Sequence, residues 1–207
     1  METVEASVVR DLVLLVWDAP NMDMSLGDVI GGKPGAGSRP RYEAVASWLV
    51  ERSGPDRDLE ADLFTNVAAG MAAQVRPWVE VVRSCGFGVF AKPKINPEDD
   101  IDDDMLEHIA RRRSRLAALV VASADARAFR EPLEEIARDD QIPVTVLSYA
   151  EVAGYAVQSD LLEFIDLEDV PGAFREPLPR IRLDNLPAEG AWLKPLKSLR
   201  QVVANLR

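Results

Sequence analysis

Leu12-Val13-Leu14-Leu15-Val16-Trp17-Asp18-Ala19-Pro20-Asn21 is the stretch that decides the fold. Six apolar residues follow one another with no polar alternation, which suits a strand buried on both faces in a parallel sheet covered by helices. The run ends in a carboxylate, so Asp18 leaves a buried strand for a polar turn, the place where an α/β protein puts its chemistry. A second run over residues 116–121 ends the same way, in Ala122-Ser123-Ala124-Asp125. Between the two lies the acidic stretch Glu98-Asp99-Asp100-Ile101-Asp102-Asp103-Asp104.

Working outward, apolar runs of strand length alternate with stretches of helical period, the signature of βαβ units. Strands are expected over residues 12–17, 61–66, 86–91, 116–122 and 144–147, with a short sixth over 164–167. Helices are expected over 41–52, 75–84, 103–113 and 127–138, and a shorter one over 149–157. Gly54-Pro55 stops the first helix and Cys85-Gly86 closes the second. The fold class is therefore α/β, with a mainly parallel central sheet of five or six strands. One domain is expected over 9–168. Residues 169–207 read as a proline-rich C-terminal extension, because five prolines between Pro171 and Pro195 break any periodic pattern. Trp192 and Leu193 suggest that this extension docks.

A chain of 207 residues, 47% of them apolar, is long enough for one well-buried core. The single Cys85 excludes an internal disulfide framework and a thiolate metal cage. With no signal peptide or long apolar span, a soluble cytoplasmic protein with no membrane partner is expected. A net charge of −11 argues against a broad basic surface that grips nucleic acid by phosphate neutralisation alone. Local basic groups remain, at Arg111-Arg112-Arg113 with Arg115, at Lys92 with Lys94, and at Arg39 with Arg41. Each also reads simply as a solvated face.

In an open parallel sheet, ligands bind outside the carboxyl ends of the strands where the strand order reverses. Adjacent strands lie roughly 4.8 Å apart, so Asp18 and Asp125 on neighbouring strands can share a Mg²⁺ or Mn²⁺ ion, which favours oxygen ligands. The acidic stretch opens a helix at the same edge and supplies a third ligand. Asp103 is the first choice and Asp104 the second, from their spacing to Leu106 on the buried face. The plainer reading of every one of these acids is local. Asp18 makes an Asx turn into Pro20, Asp125 caps the following helix, and the acidic run complements a helix dipole. Capping alone needs one or two acids, whereas six stand among seven residues here.

Asp18-Ala19-Pro20-Asn21 after an apolar strand, then Lys94 and Asp103-Asp104-Met105-Leu106, then Ser123-Ala124-Asp125 after another apolar strand, resemble the NYN domain family of PIN-like ribonucleases, over roughly residues 9–167. The resemblance implies a three-layer Rossmann-like sandwich and a metal-dependent endoribonuclease, a hydrolase that uses Mg²⁺ or Mn²⁺ to cut RNA. It implies Asp18, Asp103 and Asp125 as catalytic metal ligands, with Asp104 as a further ligand. It places Asn21, Lys94, Ser123 and Arg127 toward the substrate, with Asn21 and Ser123 also steadying the ligands. Arg127 departs from the family pattern, since a further acid is expected there.

Two decoys are set aside. Gly27 to Lys33 fits Gly-x4-Gly-Lys, but Pro34 stands where the metal-binding hydroxyl belongs, so a flexible flap beside Asp18 is expected instead. No register of the acidic stretch completes a calcium-binding loop. His108, the sole histidine, and Cys85 read as structural. The competing function is a catalytically weak relative that binds RNA or a protein. The C-terminal tail is then the contact surface, for a partner or a second copy. A small-molecule phosphoryl hydrolase with the same metal geometry is a third class.

Overall fold

The computed structural model describes residues 10–96, 99–178, 186 and 188–190. Its elements in chain order are β1 (Leu12–Asp18), α1 (Ala19–Ile30), α2 (Tyr42–Ser53), β2 (Asp58–Ala68), α3 (Ala72–Ser84), β3 (Gly88–Lys94), α4 (Asp102–Arg112), β4 (Leu116–Ala122), α5 (Ala126–Asp139), β5 (Val144–Ser148), α6 (Gly154–Val157) and β6 (Glu163–Asp166). Single 3-10 turns cover Arg113–Arg115 and Leu167–Asp169.

All pairings are parallel, in the order β3-β2-β1-β4-β5-β6. The chain steps one way from β1 to β3, crosses back with α4, and steps the other way from β4 to β6. Right-handed crossovers then put the two sets of helices on opposite faces. One core joins Val13, Leu15 and Trp17 to α1, α2 and Val82 of α3. The other joins Leu12, Leu14 and Val16 to α4, α5 and α6. Every residue of β1 is buried, and each such aliphatic side chain is worth about 1.5–3 kcal/mol. The sandwich therefore has three layers with β1 at its centre, as its continuous apolar sequence requires.

Two expectations need correction. The polar turn expected after Asp18 is instead the start of a helix, α1, which runs to Ile30 and takes in residues 27–30 of the expected flap. Ala19, Met22 and Leu26 fall on one face and pack into the first core. Pro20 sits in the first turn, where its missing N–H is harmless. Gly31 ends the helix at φ 73°, in the left-handed region, its N–H bonded to the Gly27 carbonyl. The other correction is to strand limits. β2 begins at Asp58, and β3 begins only at Gly88 because Gly86 turns at φ 92°.

The core does not stop at the end of β6. Val170, Ala173 and Leu178 are buried in the first core, and the Arg41 amide donates to the Ala173 carbonyl at 2.8 Å. Residues 170–178 are thus packed onto α2; Trp192 and Leu193 lie outside the described residues. Among the described residues no helix is long and apolar enough to cross a membrane.

Candidate metal centre

The order of strands reverses between β1 and β4, and Asp18 and Asp125 stand at the carboxyl ends of those two strands. Side chains alternate along a strand, so Asp18 shares the α4 face with Val16, and Ser123 shares it with Val121. The consequence is direct contact: Ser123 Oγ donates to Asp18 Oδ2 at 3.1 Å. Asp18 Oδ1 caps α1 by accepting from the Asn21 amide at 3.0 Å. Asn21 Oδ1 then accepts from the Ala124 amide at 2.8 Å, stitching the start of α1 to the loop after β4. The Asp125 amide donates to Ser123 Oγ at 3.2 Å. Tyr155, on α6, donates its hydroxyl to the Ser123 carbonyl at 3.3 Å.

Asp125 caps α5, its Oδ1 accepting from the amides of Arg127 at 2.8 Å and Ala128 at 3.3 Å. Asp125 is thus the helix cap expected of it, whereas Asp18, read as an Asx turn into Pro20, caps a helix. These caps do not account for the electrostatics. Asp18 is only 3% exposed, and burial drives its pKa up to about 7, against the Asn21 amide bond, with further upward pushes from the charges of Asp102 and Asp125. Burial lifts Asp102 to about 6, aided by the charges of Asp100, Asp125 and Asp103. The Tyr155 hydroxyl is pushed up, first by burial and then by Asp125 and Asp18. Among the described residues, none of these three carboxylates has an ion-pair partner.

The acid that α4 brings to this centre is Asp102. Asp103 is exposed, and Asp104 Oδ2 is held by Lys92 Nζ at 2.7 Å. The buried stripe of α4 runs Ile101, Met105, Ile109. Asp102 lies three residues before Met105 and four before the partly buried Leu106, whereas Asp103 lies two before Met105, on the solvent side. Counting from Leu106 alone places the helix one residue out of phase. Lys94 is exposed at the end of β3, two strands from β1 and so roughly 10 Å away. Arg127 is exposed on the first turn of α5. Tyr155 and Asn66 at the end of β2 are missed by the sequence reading, since neither belongs to a motif.

Most of the local basic groups are occupied. Arg39 binds Asp23, Arg41 binds Glu43, Arg111 binds Glu107, Arg113 binds Asp140 and Glu135, and Arg115 binds Asp11 and Asp58. Arg115 moreover precedes β4, at the opposite edge of the sheet from Asp18.

A second group of ligand types lies between β2 and α4. Glu60, Asp62 and His108 offer atoms within 4.8 Å of one another. Arg112 already fills that space, its Nε donating to Glu60 Oε2 at 2.5 Å and its Nη1 lying 3.2 Å from His108 Nδ1. His108 Nε2 lies 2.8 Å from Asp62 Oδ2 on the other side of the ring. His108 thus bridges Arg112 and Asp62 within an ion-pair network.

No family model matches this sequence, and no curated protein matches it. Among solved structures the fold is similar to the crystal structure of a protein of unknown function, VPA0982, from Vibrio parahaemolyticus, with a TM-score of 0.61 and 16% identity. The match covers 82% of this chain and 98% of that one. It shows a shared fold.

Proposed function

We propose that the protein is a metal-dependent endoribonuclease of the NYN type that hydrolyses RNA at the centre formed by Asp18, Asp102 and Asp125. The observation that carries this reading is that Asp18 at the end of β1, Asp102 at the start of α4 and Asp125 after β4 lie near enough at the switch point of a parallel sheet for their charges to raise the pKa values of Asp18 and Asp102, with no ion-pair partner among the described residues. Burying charge without a partner is costly, and Asp18 keeps its proton to about neutrality for that reason. An oxygen-only donor set of this kind fits Mg²⁺ or Mn²⁺. Bound there, such an ion would neutralise charge on a phosphate oxygen and lower the pKa of a water.

The chain's own residues supply the geometry. Asn21 and Ser123 fix the Asp18 carboxylate and the loop carrying Asp125, and the α5 amides hold Asp125 in place. Lys94 and Arg127, exposed on either side of the centre, are suited to phosphates flanking the scissile bond. Hydrolysis joins a water oxygen to phosphorus, breaks the P–O bond to the leaving ribose oxygen, and returns a proton to that oxygen. The test is cleavage of labelled single-stranded and hairpin RNA with Mn²⁺, Mg²⁺ or EDTA, beside Asp18→Asn. Cleavage that needs both metal and Asp18 is expected; none with any metal, in folded protein, would sink the enzyme. Arg127, where a further acid is expected, favours a second reading as a catalytically weak RNA- or protein-binding relative. That reading is the one left standing if cleavage fails.

A further inference from the structure

On the α4 side of the sheet, the side chains at the carboxyl edge stand in a row. Asn66 on β2 is in register with Lys92 on β3, and two residues earlier Phe64 is in register with both Asp18 on β1 and Phe90 on β3. Partners in register share a face, so Lys92, Asn66 and Asp18 all point toward α4.

The acidic stretch that opens α4 lies over the first two. Asn66 Nδ2 donates to the Asp99 carbonyl at 3.2 Å. Lys92 Nζ donates to Asp104 Oδ2 at 2.7 Å and to the Asp100 carbonyl at 3.4 Å. Asp99 spends its own carboxylate on the preceding turn, accepting from the amides of Ile95 at 2.8 Å and Asn96 at 2.7 Å. Five acids crowd residues 99–104 and repel one another, yet the segment is fastened by main-chain carbonyls at two points and by one ion pair. Of the acids in this stretch, Asp102 is the one whose charge reaches Asp18. Asn66 keeps its Oδ1 buried with no partner among the described residues, a cost that an apolar residue at this strand end would avoid.

We propose that Asn66 and Lys92 are positioning residues, a clamp across two strands that holds Asp102 in the acid centre and so sets its affinity for a divalent cation. The second half rests on the metal reading above; the first does not.

The experiment has a metal-free arm and a metal arm. At pH 8 without metal, Asp102→Asn removes a charge that repels Asp18 and Asp125, so the melting temperature rises by about 2–4 °C for each kcal/mol relieved. With Lys92→Met or Asn66→Ala in place, Asp102 stands away from the centre and the same substitution raises it by less than half as much. An equal rise with and without the clamp overturns the proposal. In the metal arm, Mn²⁺ titration by calorimetry is expected to show affinity about 10- to 100-fold weaker in Lys92→Met and in Asn66→Ala. Lys92→Arg restores it, and adding Asp102→Asn to either clamp variant causes little further loss. If the wild type binds no Mn²⁺ while the melting temperatures remain coupled, the clamp stands and the metal reading falls. If Mn²⁺ binds equally well in the wild type and both clamp variants, the clamp falls and the metal reading stands. Lys92 is a surface residue of the edge strand, so its variants report even where Asn66→Ala fails to fold.

Discussion

Two groups of acids lie under α4, and they differ in one respect. At the carboxyl edge, Asp18, Asp102 and Asp125 act on one another through their charges with no ion-pair partner among the described residues, and the pKa values of Asp18 and Asp102 are raised to about 7 and about 6, mainly by burial. Toward the opposite edge, Glu60 and Asp62 are partnered through Arg112 and His108. By ligand type the second group is the more obvious metal site, since it contains the histidine. Yet both of its acids already have side-chain partners, Glu60 in Arg112 and Asp62 in His108. An acidic cluster signals a ligand when its charges lack partners, and residue type alone does not show that.

The largest effect expected of this contrast is on activity. Asp18→Asn and Asp125→Asn should lower RNA cleavage to the level seen with EDTA, while Asp62→Asn leaves turnover close to wild type. Equal losses in both groups, measured on preparations with matched circular dichroism, would erase the distinction. Asparagine is a good helix cap, so α1 and α5 survive the first two substitutions.

Next comes the pH dependence of stability. The folded protein holds protons on Asp18 and Asp102 that the unfolded chain has lost, so stability from these groups is full below about pH 4 and is lost as pH rises through about 6 and 7. For Asp18 the loss is at most on the order of 4 kcal/mol. Urea melts from pH 4 to 8 should show stability falling over this range, and less steeply in Asp18→Asn. A divalent ion displaces these protons, so Mn²⁺ affinity should strengthen as pH rises from 5 to 8. A flat Mn²⁺ profile would count against the shared centre.

Smaller differences separate neighbouring acids. Asp102→Asn should weaken Mn²⁺ binding by more than about tenfold, whereas Asp103→Asn changes it by less than about threefold. A reversal of that order would restore the helical phase read from Leu106. In the compensated group, Arg112→Met should cost about 1–3 kcal/mol in urea melts, by leaving Glu60 without its partner, and should spare cleavage. Least of all is Gly88→Ala. Its new Cβ would lie 2.2 Å from Asp62 Oδ1, so the carboxylate must shift off His108, at about 0.5–1 kcal/mol. Asp62→Ala should remove that penalty, which a thermal-melt cycle reads directly.

The parts of the fold legible in sequence were those with continuous or strictly periodic patterns. β1, β4 and β5 could hardly be misplaced, because a strand buried on both faces is written as a nearly continuous apolar run, with polar residues only at Asp18, Thr145 and Ser148. α1 was missed because its apolar face is carried by widely spaced Ala19, Met22 and Leu26, among Pro20, Gly27 and polar residues that read as turn. The cap at Asp125 was visible, since a cap is set by the residues that follow it, whereas Asp18 read as an Asx turn because the helix it caps was missed. Asp102 was not, because four adjacent positions of α4's approach are acidic or apolar in ways that fit more than one helical phase. Only packing of Ile101, Met105 and Ile109 selects the phase.

The sequence by itself determined that this is a parallel α/β sheet with carboxylates leaving two of its strands, since burial and periodicity are local demands written into neighbouring residues. Which carboxylates meet, which arginines are already taken, and that Asn66 and Lys92 reach over to the acidic stretch were decided by tertiary structure alone. Those facts depend on the strand order and on the rotation of one helix, and they join residues tens of positions apart that no local pattern relates.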